Sequence, residues 1–121
     1  QDPGPWNALG RVKFIFPNKY SIYLHDTPST DLFSRANRAH SSGCVRVSRP
    51  EDLAAYMLEG TQWDNRRIRN AMNAGQIEVA RPASSVQVFL SYMTAYVGDD
   101  GRFQLANDLY NLDRDLITRL L

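Results

Sequence analysis

The sequence predicts a mostly β, α+β fold in which a few strands are accompanied by helices. Two short strand candidates lie at 12–16 and 20–25, and each ends at a turn signal. The longest strand signal covers 86–97, where β-branched and aromatic residues dominate. Two helical segments lie between residues 48 and 74. These observations favour strands with peripheral helices.

Composition is that of an ordinary globular domain. The chain has 121 residues, of which 43% are hydrophobic and 22% charged, so one domain with its own core is expected. The formal net charge is +1 and no Lys/Arg run is present, which gives no indication of a nucleic-acid partner. A single cysteine excludes an internal disulfide and leaves a free thiol.

Targeting and membrane signals are absent from the sequence itself. No stretch approaches the apolar length that spans a bilayer, and no signal peptide is recognisable. The chain begins at Gln1 without an initiator methionine, which is typical of a piece of a longer protein. We therefore expect membrane contact only through an anchor located upstream.

The first half of the chain predicts two strands and a long loop. Residues 1–10 are rich in Pro, Gly and Asn and predict an irregular entry segment before the strand at 12–16. In the strand at 20–25, His25 occupies the C-terminal end and shares a face with Tyr23. A polar connection over 26–41 follows, with one helical turn expected at 31–35, and long ordered loops of this kind are often functional.

The first predicted helix begins with a capping box. Ser48 is the expected N-cap, and Glu51, three residues later, is placed to reach back to its amide. Pro50 fits the first helical turn because its missing N–H is not needed there. The helix is expected to run to about Leu58 and to end at Gly60.

The second predicted helix runs from Asp64, as N-cap, to Ala74. Its apolar residues recur at helical spacing and predict one buried stripe. The stripe consists of Ile68, Ala71 and Met72.

The C-terminal part predicts three strands and a helix. A short strand is expected at 77–80, and the strand at 86–97 is expected to be central because both of its faces are largely apolar. The turn at 98–101 contains Gly, Asp and Gly and predicts a hairpin with a returning strand at 102–105. An amphipathic helix is expected over 113–121.

The lone cysteine lies in a setting that favours catalysis. A lone cysteine is more often a buried structural residue than a nucleophile. Here the small residues 41–43 precede Cys44 and leave room for backbone to pass close to a substrate. We therefore expect the amides of Gly43 and Cys44 to point at a developing oxyanion. His25 supplies an imidazole that acts as general base and then acid for a thiol nucleophile. Arg46 binds a substrate carboxylate or steadies the loop.

Other roles were open for the neighbouring side chains. His40 is closer in sequence to Cys44 and is an alternative base, although a loop histidine is the favoured interpretation. Asp26 follows His25 and points to the other strand face, so a backbone carbonyl is the better candidate for holding the His25 tautomer. Two histidines and one cysteine give no recognisable zinc spacing, and no metal is expected. The tyrosines at 20, 23, 92 and 96 are typical of core and sheet surface.

These residues together resemble the catalytic domain of the L,D-transpeptidases, bacterial cysteine enzymes that cross-link peptidoglycan. The family signature is a histidine, a short spacer and Ser-x-Gly-Cys-x-Arg, which matches His25 and residues 41–46. Residues 3–14, 23–28 and 86–95 also resemble segments of the larger periplasmic members, so the resemblance covers nearly all of the chain. Many members carry a histidine where Ser42 stands here, which leaves His25 as the base.

The resemblance implies a fold and a domain assignment. The expected fold is the family's β-sandwich with peripheral helices. Because the family's domain begins with strands upstream of this chain, residues 1–121 are expected to be the C-terminal portion of the domain, incomplete on its N-terminal side.

The resemblance also implies a reaction. Cys44 attacks the bond between diaminopimelate and terminal D-alanine of a tetrapeptide stem, and the thioester passes to a second diaminopimelate to form a 3→3 cross-link. Gly43 and Ser42 belong to the oxyanion loop. Arg46, Ser41 and Tyr23 are the expected substrate-binding residues. No cofactor is implied, the compartment is the periplasm, and carbapenem β-lactams are expected to acylate the cysteine.

Two alternatives remain open at this point. The same site gives an L,D-carboxypeptidase or endopeptidase if water takes the acyl group. A peptidoglycan-binding fragment without turnover is the alternative from a different class, and reactivity of Cys44 distinguishes it from an enzyme.

Overall fold

A computed structural model of the chain describes residues 2, 4 and 6–121. Gln1, Pro3 and Pro5, which belong to the predicted entry segment and to the resemblance, lie outside the described residues. The chain divides into two compact units, Gln1–Gln87 and Val88–Leu121.

The sheet of the first unit has three short strands. They are β1 (Lys13–Phe14), β2 (Leu24–His25) and β3 (Val45–Arg46), in the order β1-β2-β3. β1 runs antiparallel to β2, and β2 runs parallel to β3. The central position of β2 therefore places His25 between segments that are distant from it in sequence.

Strands β1 and β2 are shorter than the sequence predicts because Asn18 holds a wide turn between them. Its Nδ2 donates to the carbonyls of Phe16 and Ile22 at 3.0 and 2.7 Å. Its Oδ1 accepts from the amides of Tyr20 and Ile22 at 3.1 and 3.0 Å. These local bonds compete with ladder pairing, as side-chain amides commonly do in turns. Ser21 adopts a φ of 55° within the same turn.

Two α-helices follow, and the predicted capping box at the first of them is wrong. Helix α1 spans Pro50–Met57, with Arg49 as N-cap and no side-chain cap bond. Glu51, which the capping box assigned to Ser48, instead accepts from Arg69 Nε at 2.9 Å. The rigid proline at the helix start fixes the first turn one residue later than the box requires.

The second helix confirms its predicted start and two of the three residues of its predicted stripe, while Ala71 is only half-buried. Helix α2 spans Asn65–Asn73, and the Asp64 side chain accepts from the Arg67 amide at 2.7 Å. Ile68 and Met72 of α2 pack with Ala54 and Leu58 to form the buried core of the first unit.

A 3₁₀ helix at Thr30–Ser34 matches the single turn predicted at 31–35.

The strand predicted at 77–80 and most of the one predicted at 86–97 are wrong. Among the described residues of these ranges, only Ala95–Val97 forms a strand. Ile77, Val79 and Phe89 are exposed rather than central. A strand needs a neighbour for its backbone hydrogen bonds, and within the described part of the chain no strand pairs with residues 77–80 or 86–94. The alternating pattern of apolar residues indicates the propensity of a segment to form a strand, but it does not show whether a pairing partner is present.

The second unit consists of a hairpin and a helix. Strands β4 (Ala95–Val97) and β5 (Phe103–Leu105) pair antiparallel, as predicted, and α3 spans Leu112–Leu120. Asp108 accepts from the Tyr92 hydroxyl and from the Asp113 amide, each at 2.8 Å. These two bonds connect the first turn of α3 to Tyr92. Burial alone would raise the pKa of Asp108, but these hydrogen bonds outweigh it, so the pKa is lowered.

The α+β class predicted from the sequence is confirmed by the three α-helices and two small sheets that the described residues form. Within the described ranges, no helix has both the length and the apolar character needed to cross a membrane.

Candidate active site

The parallel pairing of β2 with β3 brings the two predicted site segments together. Leu24 pairs with Val45, and His25 pairs with Arg46. The Val45 amide donates to the Tyr23 carbonyl at 3.1 Å, so the pairing continues one residue before each strand and places Cys44 opposite Tyr23. Because side chains alternate along strands, Tyr23, His25, Cys44 and Arg46 share one face. Cys44 is thus a diagonal neighbour of His25, a position within reach of long side chains.

His25 is buried, with 4% of its surface exposed, and its ring is held by backbone. The distance from His25 Nδ1 to the Asp26 carbonyl oxygen is 2.5 Å. Since a carbonyl oxygen only accepts, Nδ1 carries the hydrogen, and Nε2 of the neutral ring keeps its lone pair. This contact is the one that the sequence analysis favoured for holding the tautomer.

Cys44 is a half-buried free thiol that contacts Tyr23. The side-chain hydrogen bond with Cys44 is the main cause that raises the pKa of Tyr23 above its ordinary value, followed by loss of solvent and by the charge of the thiolate. The Tyr23 hydroxyl therefore lies near the Cys44 thiol. Tyr23 also meets the His25 ring edge-on, with 6.0 Å between ring centroids. Tyr23 therefore contacts both members of the predicted catalytic pair.

The loop before Cys44 is held by Ser41. Ser41 Oγ donates to the Cys44 carbonyl at 2.7 Å and accepts from the Gly43 amide at 3.4 Å. Gly43 has a φ of +139°, a conformation that side chains rarely adopt, and a Cβ there would have open space around it. Glycine is thus required here by backbone conformation. Ser42 is exposed on the same loop.

Arg46 fixes the other end of this loop. Its Nη1 donates to the His40 carbonyl at 2.8 Å. Its Nε is buried and has no hydrogen-bond partner among the residues that the structure describes. Of the two roles that the sequence analysis left open for Arg46, this contact supports the steadying of the loop.

His40 is occupied by its own loop. Its Nε2 donates to the Asn37 carbonyl at 2.8 Å. This contact favours the loop role over that of a base for Cys44.

Lys13 was missed by the sequence analysis. Its ammonium lies 3.7 Å from the centroid of the Tyr23 ring, a cation–π contact, and Lys13 pairs with His25 across β1 and β2. Only the pairing of β1 with β2 shows this proximity, because the residues are ten or more positions apart in sequence.

The described residues contain no group of three or more His, Cys, Asp or Glu side chains that could hold a metal ion. An open cavity of about 410 Å³ lies along α2, lined by residues that include Gln62, Arg67 and Glu78. It contains none of the site residues, and nothing about its lining suggests chemistry.

Comparisons with known proteins agree with the motif. The sequence model of the L,D-transpeptidase catalytic domain (YkuD) matches residues 1–69, a range that includes both His25 and Cys44. A curated protein of Haemophilus influenzae named "Putative L,D-transpeptidase" is 40% identical over 110 residues. The aligned segment covers 91% of this chain but 22% of that relative, so the chain spans about a fifth of the relative's length.

Proposed function

This chain belongs to the L,D-transpeptidase catalytic-domain family, a family of peptidoglycan-acting transferases, and from that premise we propose that it forms 3→3 cross-links through a Cys44 thioester. Cys44 is the nucleophile and His25 is the base. We assign residues 1–121 as a whole to that catalytic domain, since the similarity to the relative extends over 91% of the chain.

One observation carries the proposal. The β2–β3 register puts Cys44 and His25 on one sheet face, and the Asp26 carbonyl leaves His25 Nε2 with a lone pair. A neutral imidazole in that tautomer can take a thiol proton. The contacts of Tyr23 with both side chains support the same assignment.

The acylation step begins at the diaminopimelate–D-alanine bond of a tetrapeptide stem. His25 Nε2 takes the proton from Cys44, and the sulfur adds to the carbonyl carbon. The Gly43 and Cys44 amides stabilise the resulting oxyanion, with Ser42 in the same loop. The carbon–nitrogen bond then breaks, His25 returns its proton to the leaving D-alanine amine, and a thioester remains.

The second step transfers the acyl group. The side-chain amine of a second diaminopimelate attacks the thioester and loses a proton to His25, which returns it to the departing thiolate. The proposed contacts of the stem peptides are Ser41, Tyr23 and the guanidinium of Arg46. The chemistry requires no cofactor, and its location is the periplasm, within the cell envelope where family members act.

The first experiment is the intact mass of the protein after incubation with a carbapenem, beside Cys44→Ala. We expect a covalent adduct in the wild type and none in the variant. An adduct that persists in Cys44→Ala would overturn the assignment of the nucleophile. No adduct in a folded wild type would favour a binding domain without turnover.

Two histidine variants form a matched pair for the base. His25→Gln is expected to slow acylation by about 10²- to 10⁴-fold, the usual contribution of a general base, whereas His40→Gln stays within about twofold of the wild type. Equal losses in both would refute the choice of His25. Release of D-alanine from a tetrapeptide without an acceptor amine then reports hydrolysis. The increase in release when an acceptor amine is added reports transfer.

A further inference from the structure

Asp26 is a buried carboxylate that the proposed reaction does not use directly. It is 8% exposed and lies immediately after His25. Its Oδ2 accepts from the Arg11 amide at 2.9 Å, and its Oδ1 accepts from the Thr27 amide at 2.7 Å. Its own amide donates to the Val12 carbonyl at 2.9 Å. The bonds with Arg11 and Val12 tie Asp26 to the segment at 11–12, and the bond with Thr27 fixes the side chain against its own backbone.

Gly10 makes room for the carboxylate. It adopts a φ of +63°, and a Cβ built there would lie 2.5 Å from Asp26 Cγ and 2.5 Å from Asp26 Oδ2. Real Cβ atoms do not approach other atoms so closely. Any side chain at position 10 would therefore displace the carboxylate or the backbone that it holds.

The same residue controls the His25 ring through its main chain. The Asp26 carbonyl is the acceptor of His25 Nδ1. The carboxylate bonds and the Val12 contact fix Asp26 on both sides, and so they fix the direction of its carbonyl. We propose that the Asp26 side chain, seated on Gly10, is a positioning residue that sets the Nδ1–H tautomer and the orientation of His25. This inference rests on the proposed role of His25 as the base.

A carboxylate is suited to this role and an amide is not. Both of its oxygens accept from backbone N–H groups. In an asparagine the oxygen accepts but the NH₂ group donates. The NH₂ would therefore face either the Arg11 or the Thr27 amide, which is also a donor, and no hydrogen bond would form there. Asp26→Asn therefore removes one backbone tie, and it also removes the charge that pairs Oδ2 with Arg11 Nε at 3.5 Å, while it preserves shape and volume.

The direct readout is the pair of ring ¹⁵N shifts of His25, which distinguish the two tautomers. The chain has two histidines, so one His40→Gln spectrum assigns the signals. We expect Nδ1–H at His25 in the wild type and a shift of its population toward Nε2–H in Asp26→Asn. A wild-type His25 that carries Nε2–H would overturn the proposal without any variant.

Gly10→Ala perturbs the same contact from the opposite side. Gly75→Ala is its matched control, because Gly75 has a φ of +68° and no atom lies within 4 Å of its Cβ position. Both variants carry the backbone strain of a positive φ, but only Gly10→Ala pushes on the carboxylate. We expect the tautomer shift in Gly10→Ala and a wild-type spectrum in Gly75→Ala.

Carbapenem acylation, followed against pH, supplies the functional readout. We expect acylation by Asp26→Asn and Gly10→Ala to be about 10- to 100-fold slower than wild type, the size of effect that small misplacement of a catalytic group produces. Their pH profiles should move toward that of His25→Gln. If His25→Gln changes the profile and Asp26→Asn does not, this inference alone fails. If His25→Gln leaves rate and profile unchanged, the proposed function loses its base.

Discussion

Replacing Arg46 by methionine should separate stability from activity. Methionine keeps an unbranched apolar stem that can fill the same space. The change removes the Nη1 bond to the His40 carbonyl, at 2.8 Å, and it also removes the buried Nε that has no partner among the described residues. Arg46 pairs with His25 across the sheet, so the lost hydrogen bond lies next to the proposed base.

The two effects on stability oppose each other. A hydrogen bond from a charged donor is worth about 1.5–3 kcal/mol, while an unsatisfied buried polar group costs about 1–3 kcal/mol. Their removal together should change the free energy of unfolding by at most about 2 kcal/mol, which is about 6–10 °C in Tm for a chain of this size. The loop that carries Cys44 nevertheless loses its tie at His40, and acylation should slow by about 10- to 100-fold.

Thermal denaturation and the time course of carbapenem acylation test this on the same samples. Arg35→Met is the matched control, since Arg35 makes an exposed ion pair with Asp31 at 2.9 Å and should alter neither quantity. Acylation at the wild-type rate by a folded Arg46→Met would refute the loop clamp. A fall in Tm of more than about 10 °C would show that the guanidinium stabilises the fold beyond its one observed bond.

Three further predictions concern other parts of the chain. Asp64→Ala should destabilise the protein by about 1 kcal/mol because it removes a helix cap, whereas Ser48→Ala should destabilise it by only a few tenths of that. Equal losses of Tm in the two variants would show that Ser48 caps the first helix after all. Tyr23→Phe removes the hydroxyl whose interaction with the Cys44 side chain raises the pKa of Tyr23. Alkylation of Cys44 by iodoacetamide at neutral pH should then slow by about threefold to tenfold, and an unchanged rate would argue against an interaction between the two side chains. The pKa of Asp108 is lower in the folded protein than in the unfolded chain, so ionised Asp108 stabilises the fold at pH values above its unfolded pKa. This stabilisation is lost as the pH falls through the folded pKa, and the stability of Asp108→Asn should therefore fall less steeply with acidification. An equally steep fall in the variant would contradict the assignment.

The proposed reacting residues of the candidate site can be recognised from the sequence alone. Residue types and spacing in the motif identify His25 and Cys44, and strand alternation places Tyr23 on the face of His25. These are local signals. The same is true of the cap at Asp64 and of the hairpin at 98–101, both of which the structure contains.

Elements that depend on a distant partner could not be predicted in the same way. The apolar alternation at 86–94 indicates strand propensity, but a strand forms only where another segment accepts its hydrogen bonds. Glu51 has the spacing of a capping residue, yet Arg69 on the neighbouring helix takes its carboxylate. In each case a tertiary contact, absent from any short window of sequence, decided the outcome.

The residues that the motif leaves out explain how its histidine is supported. Lys13 lies opposite His25, and the segment at 10–12 contacts Asp26, because β1 pairs antiparallel with β2. The spacing of residues 10–26 does not by itself predict that pairing. Yet this neighbouring segment supplies Gly10, against which the Asp26 carboxylate packs, and the amide that the carboxylate binds. A base must present one ring nitrogen in one tautomer, so its activity depends on the group that holds the other nitrogen. We therefore expect a chain that keeps His25 and Cys44 but loses the Gly10–Asp26 contact to retain the motif and to be acylated more slowly.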